Sequence, residues 1–130
     1  MATACIVEVG SKRVEIASLD ELRVILSETR EATSQELWLT HPTGARICML
    51  RNRGRALLMF QHDDDDTGLL ARARDDTPAA GTVEFTLANG QRDEYPAVWT
   101  LSADHALAAL EHFFATAAMT PVLEWRDAGP

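Results

Sequence analysis

The stretch from Ser102 to Trp125 constrains the fold of this 130-residue chain more than any other segment. Its apolar residues recur at steps of three and four, which places on one helical stripe Ala106, Leu107, Leu110, Phe113, Phe114 and Ala117. Ser102 fits a helix N-cap, and Pro121 lacks the amide proton that a continuing helix needs. We expect a helix that begins at Ser102 and stops at Thr120, then a short strand over residues 122–125, with both packed on a sheet.

Upstream patterns predict that sheet and a second helix. Residues 5–9 and 14–16 are rich in β-branched side chains around a glycine, which predicts an edge hairpin. Ser18 and Glu21 have the spacing of a capping box, so a first helix should begin there. The apolar stripe of that helix consists of Leu19, Leu22, Ile25 and Leu26.

The middle of the chain predicts further strands. Residues 36–41 and 45–50 flank a turn with proline and glycine, and residues 56–60 form an apolar run typical of a strand buried on both faces. Residues 61–80 are the longest segment without clear periodicity, and Asn89-Gly90 predicts a hairpin between alternating runs. We therefore predict one α+β domain over residues 1–130, a twisted, mainly antiparallel sheet of about seven strands with two helices packed on it.

The cysteines and the hydropathy pattern indicate a cytoplasmic protein. Cys5 and Cys48 lie in apolar runs and match no metal-ligand spacing, which favours buried, reduced thiols. No stretch approaches the roughly 20 apolar residues of a membrane span, and the first residues have no signal-peptide pattern. We expect neither a membrane partner nor export.

Charge favours a basic partner. Twenty acidic residues against twelve basic ones give a net charge of −8, which disfavours direct contact with the nucleic-acid backbone. A local net charge of −4 falls between residues 63 and 76, from Asp63, Asp64, Asp65, Asp66, Asp75 and Asp76 with Arg72 and Arg74. Half of the excess charge lies in this segment.

The aspartate run leaves three alternatives open: a solvated flexible loop, a charged docking surface for a basic protein, and a metal site. Calcium loops alternate their ligands, contain a central glycine and close with a glutamate, and this run has none of these features. His105 and His112 are seven residues apart on the predicted helix, about 10.5 Å along its axis, which is too far for a shared metal ion. We expect neither a metal nor another cofactor.

Catalytic patterns are weak. The serines fit turns and caps, without a nucleophile elbow, and Asp93 and Glu94 should face opposite sides of a strand. Trp38, Trp99 and Trp125 are predicted in strands as core or sheet-face residues. The arginines at 51, 53 and 55 predict a solvated turn or contacts with acidic groups of a partner. These patterns favour a protein that is not an enzyme.

One family resemblance rests on the C-terminal residues. Glu111–Thr116, Glu-His-Phe-Phe-Ala-Thr, followed by Pro121–Trp125, Pro-Val-Leu-Glu-Trp, resembles the closing signature of a bacterial polymorphic-toxin immunity-protein family, the first-numbered Imm family. Residues 18–26 are similar to its first helix, and residues 81–96 to the hairpin that precedes its second. Its members are found beside toxins that are often nucleic-acid deaminases.

The resemblance implies a non-catalytic protein that binds a cognate toxin domain and blocks its active site. A nucleic-acid-targeting toxin needs a basic groove, which an acidic segment can occupy. We hypothesise that Asp63–Asp66, Asp75 and Asp76 face the toxin and that Arg72 and Arg74 make directed hydrogen bonds. A stable complex buries about 1,600 Å², so a sheet face or edge must contribute. An acidic adaptor and a small-ligand-binding domain remain alternatives.

Overall fold

A computed structural model describes residues 4–28, 34–63, 65–73 and 80–127. The first half contains β1 (Cys5–Val9), β2 (Lys12–Ile16), α1 (Leu19–Glu28), β3 (Ser34–Thr40), β4 (Arg46–Asn52) and β5 (Arg55–Gln61). The second half contains β6 (Leu69–Ala73), β7 (Thr82–Thr86), β8 (Arg92–Pro96), a 3-10 turn (Ala97–Trp99), β9 (Leu101–Ser102), α2 (Ala103–Thr116) and β10 (Leu123–Asp127).

The main sheet has the strand order β10-β6-β5-β4-β3-β1-β2, and the short β9 pairs with β5 beside that path. Each pairing between these strands is antiparallel. The predicted α+β class, with two helices and a mainly antiparallel sheet of about seven strands, is confirmed. We call the end of the sheet where β5 finishes at Gln61 the upper end, and the end where β5 begins at Arg55 the lower end.

Both faces of the central strands are covered, which explains their continuous apolar sequence. On the inner face, α1 and α2 cover side chains such as Met49 and Leu58, and Phe113 of α2 is fully buried among them. On the outer face, Cys48, Leu50 and Leu57 pack with Phe85 of β7. The β7-β8 hairpin is therefore a separate two-stranded sheet that lies on the outer face.

The helix starts follow the predicted caps. The Ser18 hydroxyl accepts the Glu21 N–H at 3.2 Å, and the Glu21 carboxylate accepts the Ala17 N–H at 3.0 Å. The Ser102 hydroxyl accepts the His105 N–H at 3.2 Å and caps α2. The predicted end of α2 was wrong, because the helix stops at Thr116, where Ala117 adopts a left-handed φ of 59°.

Three other predictions need correction. The segment 61–80 is not wholly irregular, since β6 lies within it, paired between β5 and β10. Trp99 lies in the 3-10 turn rather than in a strand and is 40% exposed. Arg51 is only 7% exposed and so does not belong to a fully solvated turn, whereas Arg53 is exposed.

The two thiols are where the sequence predicted them. Cys5 is fully buried on the inner face and Cys48 is 5% exposed on the outer face, and both are free. Burial raises the pKa of each thiol, and the nearby Glu36 carboxylate raises that of Cys48 further. Both cysteines therefore act as small apolar side chains of the two cores.

Candidate partner-binding surface

The aspartate run lies at the upper end of the sheet, in the connection from β5 to β6. We call residues 62–68 the acidic turn; Asp64 lies outside the described residues. His62, Asp63 and Asp65 are exposed, whereas Asp66 is half-buried. The exposed carboxylates of Asp63 and Asp65 are thus presented to solvent at the end of a buried central strand.

The Asp66 carboxylate holds the acidic turn together. Its Oδ2 accepts the backbone N–H of His62 at 2.9 Å and lies 2.9 Å from His62 Nδ1, while its Oδ1 accepts the Gly68 N–H at 3.1 Å. These bonds, with the backbone one from His62 first, lower the pKa of Asp66 from 3.8 to about 2. Asp66 is therefore charged at neutral pH and bonded within its own turn.

Further bonds order the exposed part of the acidic turn. Asp63 Oδ1 accepts the Asp65 N–H at 2.9 Å, and the Asp63 carbonyl accepts the Asp66 N–H at 3.3 Å. The Gln61 side chain donates to the Asp66 carbonyl at 2.9 Å. The described part of the run is therefore a hydrogen-bonded turn.

One ring contact and one glycine fix the position of the acidic turn on the sheet. The His62 ring meets the ring of Phe60 edge-on, with centroids 5.0 Å apart, and Phe60 belongs to the inner core. Gly68 has a φ of +99°, and a Cβ at this position would lie 2.8 Å from Cγ and Sδ of Met59. Glycine is therefore required where the turn returns across Met59 into β6.

A groove on the outer face lies next to the acidic turn. It has a volume of about 180 Å³ and lies between the sheet and β8. Met59 lines it together with Trp38 and Cys48 of the sheet and Asp93 and Tyr95 of the hairpin. Because Met59 also lies close to Gly68, the groove adjoins the acidic turn. We call this groove the Trp38–Tyr95 groove.

Carboxylates at the Trp38–Tyr95 groove fix its aromatic side chains. Glu36 Oε2 accepts the Trp38 indole N–H at 2.8 Å, and its Oε1 accepts the Ala88 N–H at 2.9 Å. Asp93 Oδ2 lies 3.5 Å from the Tyr95 hydroxyl. Burial, followed by the Asp93 charge, raises the pKa of Tyr95. Glu36 therefore ties the hairpin to the sheet.

A comparison with protein-family models adds one finding. The model described as "Immunity protein Imm1" matches residues 10–127, which is most of the chain. The chain belongs to the Imm1 family of immunity proteins. Membership implies an immunity protein that acts against a toxin, and the predicted family is confirmed. A search of curated proteins gives no match.

The structure brings only some of the predicted contact residues of this Imm1 chain together. Asp63, Asp65 and Asp66 share the acidic turn, whereas Arg72 lies near the lower end of β6, where it pairs with Glu124. From Leu69 to Arg72 the strand rises about 10 Å, so Arg72 is not part of the acidic turn. The predicted contacts Asp64, Arg74, Asp75 and Asp76 lie outside the described residues.

The Trp38–Tyr95 groove was missed by the sequence analysis of the Imm1 chain. Glu36 and Trp38, and likewise Asp93 and Tyr95, are spaced by two residues, which places each pair on one face of its strand. That signal was available in the sequence. The sequence does not predict that β8 packs on the outer face, because that packing depends on contacts between residues far apart in the chain.

Metal-binding and membrane-spanning features are absent from the described part of the Imm1 chain. Within residues 4–28, 34–63, 65–73 and 80–127, no three or more His, Cys, Asp or Glu side chains are grouped so that they could hold a metal ion. In the same part of the chain, neither helix has the length and apolar character needed to cross a membrane.

Proposed function

We propose that this Imm1 protein binds the catalytic domain of a cognate toxin that acts on nucleic acid, of the deaminase type, and blocks its active site. The acidic turn enters the basic groove that normally holds phosphates. The chain is a binding protein rather than an enzyme, forms one domain over residues 1–130 and acts in the cytoplasm of the producing cell. Family membership supports the toxin partner, and the resemblance at the C-terminus supports the deaminase class.

The observation that carries this proposal is the ordered display of charge on the acidic turn. Asp63 and Asp65 are exposed, and the Asp66 carboxylate binds the backbone N–H groups of His62 and Gly68 at the two ends of the acidic turn. A partner that binds these carboxylates does not need to order a free loop, so less conformational entropy is lost on binding. Asp63 and Asp65 are the contact residues, and Asp66 positions them.

The distribution of charge on β5 also favours a basic partner at the upper end. Arg53 and Arg55 lie at the lower end of β5, and the acidic turn lies at its upper end. Seven residues of strand separate the two by about 20 Å, which is two Debye lengths at 0.1 M salt. Arg53 and Arg55 therefore do not cancel the negative potential of the acidic turn. Arg46, which lies opposite Gln61 at the upper end, offsets only part of that potential, so the turn can still steer a cationic toxin.

The acidic turn alone is too small for a stable interface of about 1,600 Å². The outer sheet face can supply more area, because Met59, which lines the Trp38–Tyr95 groove, lies close to Gly68 of the acidic turn. Asp64, Arg72, Arg74, Asp75 and Asp76 remain predicted contact residues of the same partner. Arg72 would meet the toxin only where the interface extends toward the lower end of β6.

Groove size favours a protein partner over a small ligand. Four grooves formed by described residues have volumes of about 180 to 210 Å³. Pockets for drug-sized ligands measure roughly 300–1,000 Å³. These four grooves fit single side chains of a partner better than a free metabolite.

The test is an inhibition titration. The toxin domain encoded beside this chain's gene is assayed on single-stranded and duplex nucleic acid while the chain is added in increasing amounts. We expect base deamination by the toxin, and its complete loss near one equivalent of the chain. Binding without loss of toxin activity would favour the acidic adaptor, and loss of a different toxin activity would refute the deaminase assignment.

A further inference from the structure

We propose that the Trp38–Tyr95 groove receives one arginine side chain of the toxin and that Asp93 is the carboxylate that binds its guanidinium group. This inference rests on the proposed function and names a contact within that interface. It concerns residues that the sequence analysis did not place at a binding site.

The dimensions and lining of the groove suit one flat side chain. Its floor is apolar, formed by Cys48, Leu50 and Leu57, each between 5% and 6% exposed. Trp38 and Tyr95 line the groove and are half-buried, so part of each side chain is accessible to solvent. The volume of about 180 Å³ is below that of a drug-sized pocket.

The charged groups that line the groove are acceptors. Asp93 and Glu36 carry carboxylates, and both Glu36 oxygens already bind N–H groups of this chain. Asp93 Oδ1 accepts the Gln91 side-chain N–H at 2.7 Å, and among the described residues its Oδ2 has only the 3.5 Å contact with the Tyr95 hydroxyl. Among the carboxylate oxygens of Asp93 and Glu36, Oδ2 of Asp93 therefore has the weakest bond within the chain. It is the oxygen best able to accept a hydrogen bond from a charged donor of the partner.

Aromatic rings beside a carboxylate select arginine over lysine. A guanidinium is planar, stacks on aromatic faces and donates in a fork, whereas an ammonium is a compact and strongly hydrated charge. Within this chain, the guanidinium of Arg46 lies 4.0 Å from the centre of the Trp38 ring, so this ring already accommodates one guanidinium. Arg46 does not line the groove, and with Glu36 and Asp93 it leaves the local net charge at −1.

The position of the groove makes it part of the same interface. Met59 lines the groove and lies so close to Gly68 of the acidic turn that a Cβ at residue 68 would be 2.8 Å from its Cγ and Sδ. A toxin that binds Asp63 and Asp65 can therefore contact Met59 and Tyr95 in the same interface. The acidic turn then provides steering, and the groove holds an anchoring side chain near the centre, where interface energy concentrates.

The experiment compares two isosteric substitutions on one strand. Asp93→Asn and Glu94→Gln remove the same charge from neighbouring positions of β8, but their side chains point to opposite faces, and Glu94 is exposed. Dissociation of each variant from the adjacent-gene toxin domain is measured by surface plasmon resonance. We expect Asp93→Asn to dissociate about 10- to 100-fold faster, as for one lost charge-assisted hydrogen bond, and Glu94→Gln less than about fivefold faster.

A second measurement identifies the toxin side chain. Each surface arginine of the toxin is changed to alanine and combined with Asp93→Asn in a double-mutant cycle. We expect one toxin arginine for which the effects of its alanine substitution and of Asp93→Asn on the dissociation rate are not additive. The rate of the double variant should differ by about fivefold or more from the product of the two single effects. Tyr95→Leu should weaken the same complex, and because dissociation is measured on complexes already formed, reduced folding stability does not imitate the effect.

The outcomes separate the two proposals. If the wild-type chain does not bind the toxin, the proposed function fails and this inference fails with it. If the wild-type chain binds and inhibits, but Asp93→Asn matches Glu94→Gln or no toxin arginine couples to Asp93, then the groove assignment is overturned while the proposed function stands.

Discussion

Asp66 and His62 are joined twice, because the same carboxylate oxygen accepts the His62 backbone N–H and lies 2.9 Å from its imidazole Nδ1. This relationship closes the acidic turn over four residues. A charged Asp66 is therefore part of the folded turn rather than a free member of the aspartate run. Among the described aspartates, Asp66 uses both carboxylate oxygens within the turn, whereas Asp63, which uses Oδ1 to accept the Asp65 N–H, and Asp65 are exposed to solvent.

The pH dependence of the acidic turn follows from this arrangement. The folded pKa of Asp66, about 2, lies below its ordinary value of 3.8, so its stabilising effect is present above pH 3.8 and is lost as the pH falls through 2. We expect the Asp66 carboxyl carbon to titrate near pH 2 in an NMR titration of the folded chain. We also expect Asp66→Asn to accelerate amide exchange at His62 and Gly68. Titration near 3.8 in the folded chain would contradict the bonding described.

Two glycines provide a matched test of backbone geometry. Gly68 has a φ of +99° and packs against Met59, whereas a Cβ added at Gly54 would meet no other atom within 4 Å, and Gly54 has no left-handed φ. We expect Gly68→Ala to lower the free energy of unfolding in urea by about 1–2 kcal/mol, and Gly54→Ala to leave it unchanged or raise it slightly. Equal effects of the two substitutions would mean that the turn does not require glycine at residue 68.

A like-charge pair destabilises the hairpin. Glu84 and Glu94 face each other directly in the β7-β8 register, while Glu8 faces Arg13 between β1 and β2. We expect Glu94→Gln to raise the free energy of unfolding by about 0.2–1 kcal/mol and Glu8→Gln to lower it by a similar amount. Urea denaturation at low salt measures both. A shift of the same sign for both variants would exclude cross-strand pairing as the cause.

The thiols should be inert in the folded protein. Burial raises the pKa of Cys5 and Cys48, so little thiolate is present or accessible at neutral pH. We expect reaction with a chromogenic disulfide reagent to be slow in buffer and to yield two thiols per chain only in denaturant. Rapid reaction of either cysteine in buffer would show that one core is open to solvent.

Local signals account for much of the fold. The caps at Ser18 and Ser102, the Asn89-Gly90 turn and the apolar strand before Gln61 could be predicted because each depends on neighbouring residues. The end of α2 could not, since Ala117 takes a left-handed conformation that sequence patterns assign to glycine. Strand β6 was missed because its sequence, Leu-Leu-Ala-Arg-Ala, contains no β-branched or aromatic residue, and its pairing with the neighbouring strands β5 and β10 decides its structure.

The candidate surface was predictable only where it depends on neighbouring residues. The run of aspartates is visible in the sequence, so Asp63 and Asp65 could be predicted as partner contacts without a structure. Arg72 is close to these aspartates in sequence, but it lies about 10 Å along β6 from Leu69, near the lower end of that strand. The groove depends on β8 meeting Trp38 across the outer face, which no local pattern specifies.

The central claim is that carboxylates of the acidic turn guide and hold the toxin, and one kinetic measurement tests it most directly. Asp63→Asn with Asp65→Asn is compared with Glu84→Gln plus Glu94→Gln, which removes the same charge from the outward side of the hairpin. Association rates with the toxin domain are measured from low to high salt. We expect the first pair to lower the low-salt rate about tenfold and to flatten its salt dependence, with a much smaller effect of the second pair. Equal rates and equal salt slopes for the two pairs would contradict the account.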